Sequence, residues 1–227
     1  MKMCAFVVGV LLGHAAVAPA QTVIIDPTHL NGSFETFGTG ADLGTAITTS
    51  ANTTVVPNWT VMTSSGSASV RVLSNQTPLP VDGSYWLGLN SQDTTAGVVF
   101  LEQSFATTIG MSYLVSFSAG RDGLASGLVG VTGEVFDAVS GGSLLGSVTS
   151  SSSTVGAAFY SPASFTFTAT TTTSRLRFSD ISTSTTSVDL VLDNVVVTSI
   201  PEPVAVGGLL GAATLGFAAW RRRFAVR

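Results

Sequence analysis

The sequence predicts an all-β protein, an antiparallel β-sandwich flanked by two apolar terminal segments. Only 10% of its 227 residues are charged, which is too few to coat the solvent-facing sides of helices. The middle of the chain is rich in Thr, Val, Ser and Phe, which suit half-buried strands. Some ten short apolar or alternating runs lie there between Gly, Asn, Asp, Pro and Ser clusters, and this spacing is typical of a sandwich.

Residues 1–20 are the first element and form a secretory signal helix. A basic start at Lys2 precedes a short apolar run over residues 5–12 and the small residues Ala18, Pro19 and Ala20. This order predicts that signal peptidase cuts after Ala20. Cys4 leaves with the signal, so the mature chain has no cysteine.

The strands of the mature domain, residues 21–199, follow in order. Strands are predicted at ten runs: 59–61, 68–73, 85–89, 98–105, 113–119, 128–135, 143–148, 163–168, 175–178 and 190–197. Tyr113, Val115 and Phe117 share one strand face, as do Phe165 and Phe167, and we expect them to fill the core. Loops are predicted at four Ser/Thr-rich patches: 48–54, 150–154, 170–174 and 182–187.

The last element, residues 200–227, is an apolar segment behind a Pro-Glu-Pro motif. Pro201 and Pro203, on either side of Glu202, stop the preceding strand because proline cannot donate to a ladder. The uncharged residues 204–220 would reach about 26 Å as a helix, which suffices for a single transmembrane span in a thin bilayer. An Arg cluster follows and stays on the cytoplasmic side: Arg221, Arg222 and Arg223.

This order of motif, apolar helix and Arg cluster resembles the PEP-CTERM sorting signal of Gram-negative bacteria that make exopolysaccharide. Val204 and Ala205 follow the motif here, where Ser-Thr is common. The resemblance implies recognition by an exosortase, a membrane peptidase that cuts near Pro-Glu-Pro and passes the protein to the cell surface or extracellular matrix. A permanent single-pass anchor is the alternative.

The composition of the mature domain excludes several classes of function. Between residues 21 and 200, four Arg stand against twelve acidic residues, a net charge of −8, so nucleic acid is not a partner. No lysine remains after processing and His29 is the single histidine. These absences remove most nucleophilic and zinc chemistry. Paired carboxylates among Glu35, Glu102 and Glu134 are the remaining route to catalysis, and we predict a non-catalytic protein.

Three short motifs occur at the ends and near the start of the domain: Asn-Gly-Ser-Phe-Glu at 31–35, Pro-Asn-Trp at 57–59 and Leu-Asp-Asn-Val at 192–195. They resemble the opening, the first core tryptophan and the closing strand of jelly-roll, galactose-binding-like domains, which include carbohydrate-binding modules. The resemblance implies a structural Ca²⁺ held by Glu35 and Asp193. Calcium prefers such oxygen donors. The alternative is that both carboxylates accept hydrogen bonds from turn amides.

Association with exopolysaccharide is the first functional interpretation. Sugars pack their apolar faces on flat rings, with polar groups at the ring edges. Tyr85 and Trp86 are the predicted glycan-binding pair, and one of these two rings should face outward because they alternate along a strand. The alternatives are a purely structural matrix protein that provides cohesion without a small ligand, and an ice-binding protein, for which the spacing of the threonines is irregular.

Overall fold

The computed structural model of the protein describes residues 20–41, 45–74, 77–90, 98–138, 141–183 and 188–201. Residues Gln21–Ile200 form one unit, in which two antiparallel sheets pack as an all-β sandwich. No α-helix occurs in these ranges. A search of the same ranges for helices that are long and apolar enough to cross a membrane finds none. The predicted signal and sorting helices lie outside the described residues.

The first sheet, sheet A, has eight strands with β13 near its centre. Its strands run in the order β10 (Ala158–Phe159), β7 (Ser112–Gly123), β13 (Val188–Ile200), β5 (Tyr85–Asn90), β4 (Ala68–Ser74) and β2 (Thr45–Ile47). Two further strands pair with members of this path: β1 (Val23–Ile25) with β13, and β11 (Ala163–Thr168) with β7. The first and last strands of the domain are therefore neighbours.

The second sheet, sheet B, has five strands. They run in the order β3 (Thr60–Thr63), β6 (Val99–Ala106), β12 (Thr173–Asp180), β8 (Val129–Asp137) and β9 (Leu144–Ser152). β12 is the central strand, and its residues 174–179 have a partner on both sides. In this register Arg177 lies opposite Glu102 on β6 and opposite Glu134 on β8.

Aromatic rings fill much of the space between the two sheets. The predicted core residues Tyr113, Val115, Phe117 and Phe167 are buried, and Phe165 packs partly buried against them, which confirms the prediction. Trp59 is fully buried and its indole N–H donates to the main-chain oxygen of Asn31 at 3.0 Å. The core tryptophan is thereby joined to the opening motif.

The structure corrects two of the predicted loops and adds three strands. Residues 150–152 continue β9, and residues 173–174 begin β12, because their backbones pair with β8 and β6 despite low-complexity side chains. The strands that the sequence did not predict are short: β1, β2 and β10. Two or three residues carry too little alternation to be distinguished from a loop. β13 ends at Ile200, directly before Pro201, as predicted.

Candidate functional site

Glu35 and Asp193, from opposite ends of the domain, both bind the loop that leads into β5. The Glu35 Oε1 atom accepts the main-chain N–H groups of Ser84 at 2.8 Å and Tyr85 at 2.9 Å. The Asp193 Oδ2 atom accepts those of Val81 at 2.7 Å and Asp82 at 3.1 Å. We call these two carboxylates and residues 81–85 the carboxylate clasp.

Backbone conformation makes the close approach of Glu35 to the loop feasible. Gly83 has a φ of +65°, and a Cβ atom at this position would lie 2.3 Å from Glu35 Oε1. The positive φ favours glycine there, and a side chain at this position would displace the Glu35 carboxylate from its hydrogen bonds. At the other carboxylate, the second oxygen of Asp193 accepts the N–H of Asn194 at 2.7 Å.

Burial raises the pKa of Asp193 to about 6, while the N–H groups of Asp82, Val81 and Asn194 oppose the shift by stabilising the charged form. These N–H groups point their positive ends at the two Asp193 oxygens. The predicted calcium ion would need the same oxygens as ligands. No group of three or more Asp, Glu, His or Cys side chains surrounds a common point among the described residues. These contacts favour the turn-amide alternative, and the calcium site stays a prediction.

Beside the clasp, Tyr85 and Phe37 line an open groove of about 520 Å³. The two rings meet edge to face, with their centroids 4.7 Å apart and their planes at 61°. Gly38, Thr39 and Gly40 extend the wall that carries Phe37, and Leu73 and Ser74 extend the wall that carries Tyr85. Tyr85 is only partly buried, so the structure places this predicted residue at a surface depression.

Trp86, the other predicted ring, is fully buried. Its neighbour Leu87 points into the core, so the indole lies on the opposite face of sheet A, where its N–H donates to the oxygen of Pro78 at 2.8 Å. The ring also packs over Gly88, whose Cβ position would be 3.0 Å away. A ring enclosed in this way offers no face to a sugar, which argues against Trp86 as a ligand-binding residue.

The outer face of sheet B carries a second group of polar and aromatic residues, in which the predicted carboxylates Glu102 and Glu134 lie beside arginines and phenylalanines that the sequence did not predict as site residues. Arg177 lies over the rings of Phe100 and Phe136, with its guanidinium carbon 4.8 and 5.2 Å from their centroids. Arg175 covers Phe136 from 5.4 Å. All four side chains are partly exposed. We call them, together with Glu102 and Glu134, the arginine–phenylalanine face.

Ion pairs fix the arginines on this face. Glu102 accepts a hydrogen bond from Arg177 Nε and lies 3.6 Å from Arg175 Nη1. Glu134 stands opposite Arg177 on β8. The two guanidinium groups are thus held over aromatic rings, with part of each arginine side chain, about a fifth to a quarter, open to solvent.

The sequence does contain a signal for this face, because its residues are spaced two apart along each strand. Phe100 and Glu102 are two apart on β6, Arg175 and Arg177 on β12, and Glu134 and Phe136 on β8. Each pair therefore lies on one side of its strand. That the three strands are neighbours does not follow from their order along the chain.

Comparison with known proteins shows the fold and not the function. No family model matches the chain, and no curated protein does. Among solved structures, the chain is similar to a Stig cyclase, Fisc from Fischerella sp. TAU, with a TM-score of 0.53 and 15% identity over 80% of this chain and 99% of that one. This likeness supports the β-sandwich architecture.

Three further similar structures have TM-scores below 0.5. A CBM4 protein gives 0.47 at 15% identity, over 75% of this chain and 98% of that one. The CBM22-1 xylan-binding domain of Paenibacillus barcinonensis Xyn10C gives 0.48 at 12% identity, over 82% and 99%. The enzymatically active domain of bacteriophage CBA120 tailspike protein 4 gives 0.47 at 15% identity, over 75% of this chain and 22% of that domain.

Proposed function

We propose that this protein is a non-catalytic, exported module that binds glycan chains on the arginine–phenylalanine face. The observation that supports it is the placement of Arg177 over Phe100 and Phe136, and of Arg175 over Phe136, at a partly exposed sheet surface. A sugar needs an apolar platform for its C–H face and polar groups at the platform's edge. Rings and guanidinium planes supply the platform, and the charged side chains supply the edge.

The charges on the face favour an uncharged, hydroxyl-rich chain as the ligand. Two arginines and two glutamates lie side by side, so the face has both donors and acceptors and no net charge. The surrounding domain carries a net charge of −8, which repels acidic polymers. Hydroxyl groups can donate to Glu102 or Glu134 and accept from the arginines.

Arg177 belongs to a row of residues that lie opposite one another on all five strands of sheet B. In order across the sheet, the row consists of Thr60, Glu102, Arg177, Glu134 and Ser147. Five strands spaced at about 4.8 Å give a row of about 19 Å. Such a surface suits an extended chain of several sugar units better than a single sugar.

The proposed destination is the cell surface or the exopolysaccharide matrix of a Gram-negative bacterium. It rests on the sequence alone, on the signal peptide at 1–20 and the PEP-CTERM-like tail with Pro201, Glu202, Pro203 and the cluster at 221–223. Signal peptidase and an exosortase would be the partners during export, with the membrane engaged by the tail before processing.

Two substitutions and a matched control test the ligand surface. Arg177→Lys keeps the charge but removes the planar group, and Phe136→Ala removes a ring from beneath both arginines. We expect each to weaken binding to neutral polysaccharides at least tenfold in isothermal titration, because sugar stacking on the face is lost. Arg71→Lys, at an exposed arginine on sheet A, should leave binding unchanged.

Two outcomes would overturn this proposal. Wild-type protein that binds none of a broad polysaccharide panel would favour the cohesion role. Release of new reducing ends from a bound polysaccharide, abolished by Glu102→Gln or Glu134→Gln, would make the protein an enzyme.

A further inference from the structure

The groove between Phe37 and Tyr85 lies on a different part of the domain from the arginine–phenylalanine face. Its walls come from the segment after Glu35 and from β4 and β5 of sheet A, whereas the face belongs to sheet B. We propose that this groove is a second ligand site for a short, uncharged, hydroxyl-rich ligand such as the end of a glycan chain, and that Glu35 positions its two walls. The ligand class rests on the proposed function.

The groove has polar groups that form no hydrogen bond with the described part of the chain. The main-chain N–H groups of Thr39 and Gly40 make no hydrogen bond to another described residue. Thr39, Ser74 and Tyr85 also bring hydroxyl groups to the lining. Amide donors and hydroxyls beside two aromatic rings are the groups that bind sugar hydroxyls and sugar C–H faces.

Charge and size narrow the class of ligand. Among the described residues, none that lines the groove is charged, so these residues offer nothing that would neutralise a carboxylate or a phosphate. A volume of about 520 Å³ falls within the range of roughly 300–1,000 Å³ typical of small-molecule sites. The space suits a short segment or a chain end, while the row across sheet B suits an extended chain.

Glu35 links the two walls of the groove. Its carboxylate accepts the N–H of Tyr85 at 2.9 Å, which fixes the start of β5. Two residues later in the chain, Phe37 meets the Tyr85 ring edge to face. Because the peptide chain is short between Glu35 and Phe37, the hydrogen bonds to Ser84 and Tyr85 also set the distance between the rings. Glu35 is therefore a positioning residue.

The test uses amide NMR of the mature domain with neutral oligosaccharides of two to six units. We expect the amide signals of Thr39 and Gly40 to move on titration, and Tyr85→Ala to weaken this binding at least tenfold. Tyr85→Phe, which keeps the ring, should weaken it less. Tyr160→Phe serves as the control, since Tyr160 is an equally partly buried tyrosine outside the groove and its loss of a hydroxyl should have no effect.

Glu35 is tested through its conservative variant. Glu35→Gln keeps an acceptor oxygen and should retain oligosaccharide binding within about threefold, whereas Glu35→Ala should lose it while the melting transition stays cooperative. A role for Glu35 in folding alone would lower the melting temperature of Glu35→Ala without changing affinity below that temperature, and this result would overturn its positioning role.

The two ligand sites can fail independently. If the Thr39 and Gly40 signals stay fixed while signals of the arginine–phenylalanine face move, the groove proposal is wrong and the proposed function stands. If the groove signals move and Arg177→Lys has no effect on polysaccharide binding, the proposal for the arginine–phenylalanine face is wrong and the proposal for the groove is supported.

Discussion

At the scale of single residues, Asp189 on β13 is held in an environment that disfavours its charge. It lies opposite Asp122 on β7. Burial, followed by the charge of Asp122, raises the pKa of Asp189 to about 7, with Asp180 adding to the shift and Arg71 opposing it. The Oδ1 atom of Asp189 is buried and accepts no hydrogen bond from a described residue. In the folded protein the carboxyl group therefore stays protonated to a higher pH than an ordinary aspartate does.

This environment predicts that the domain loses stability as the pH rises. An acid whose pKa is higher in the folded than in the unfolded state holds an extra proton when folded, so its contribution to stability declines between its unfolded pKa of 3.8 and its folded pKa of about 7 and levels off above that. We expect Asp189 to make the wild type less stable at pH 8 than at pH 5 by on the order of 2 kcal/mol. Urea unfolding at the two pH values measures the difference.

Asp189→Asn should reduce this dependence, because asparagine carries no proton to lose, and should leave the part that Asp193 contributes. Asp137→Asn, which removes a like charge at the end of β8, should leave the pH dependence in place. Equal slopes for the wild type and Asp189→Asn would show that Asp189 does not titrate on folding.

Single residues also show what the sequence could not determine. Alternation along β5 predicted that Tyr85 and Trp86 face opposite ways, but not which of the two is covered. The answer depends on the segment around Pro78, which accepts the indole N–H and encloses Trp86. A contact eight residues away, made by a loop, has no periodic signal in the sequence.

At the scale of elements, the opening motif is shaped by its approach to β13. Val195 donates its N–H to Gly32 at 2.8 Å, and Gly32 donates to the oxygen of Asp26 at 2.9 Å. A Cβ atom on Gly32 would lie 2.2 Å from the Val195 oxygen and 2.8 Å from the Asp26 oxygen. The glycine of the motif thus lets two backbone segments touch.

Gly32→Ala should therefore destabilise the domain by about 1–3 kcal/mol, the usual cost of forcing extra atoms into a packed site. Gly141→Ala is the matched control: its φ is +78° but the space around it is open, so we expect a smaller loss of roughly 1 kcal/mol. Thermal unfolding of both variants measures the contrast. A Gly32→Ala variant as stable as the wild type would mean that the backbones can separate without cost.

The strands themselves were largely predictable, whereas their arrangement was not. Alternation located all ten of the longer runs within a few residues, because each has one face in the core. The arginine–phenylalanine face is different, since it depends on β12 lying between β6 and β8. Those strands are far apart in sequence, and no local pattern specifies which of them pair.

At the scale of the whole molecule, the charges fit the proposed division of the chain into export segments and an outward-facing domain. Five of the nine basic residues lie in segments 1–20 and 200–227, and the region between them has a net charge of −8. The basic ends match what export and membrane orientation require. The acidic, lysine-free domain suits solubility outside the cell.

Intact-mass measurement on protein from its native host tests this division. We expect the mature form in the medium or matrix to lack residues 1–20 and everything near or beyond Pro201, because signal peptidase and an exosortase have removed them. A membrane-bound form that retains residues 204–227 would instead establish a permanent anchor. Replacing Pro201, Glu202 and Pro203 with alanine should shift the protein from the matrix to the membrane fraction.

The position of β13 in sheet A also governs when the domain can fold. β13 is the last of the described strands along the chain, yet it pairs with β1, β5 and β7. Until residues 188–200 are available, these three strands have no common partner and the sheet cannot close. A chain that is threaded through a secretion channel from its N-terminus would leave this sheet incomplete until β13 had crossed, and such a channel requires an unfolded chain. Folding on the far side would then begin only once the final strand emerged.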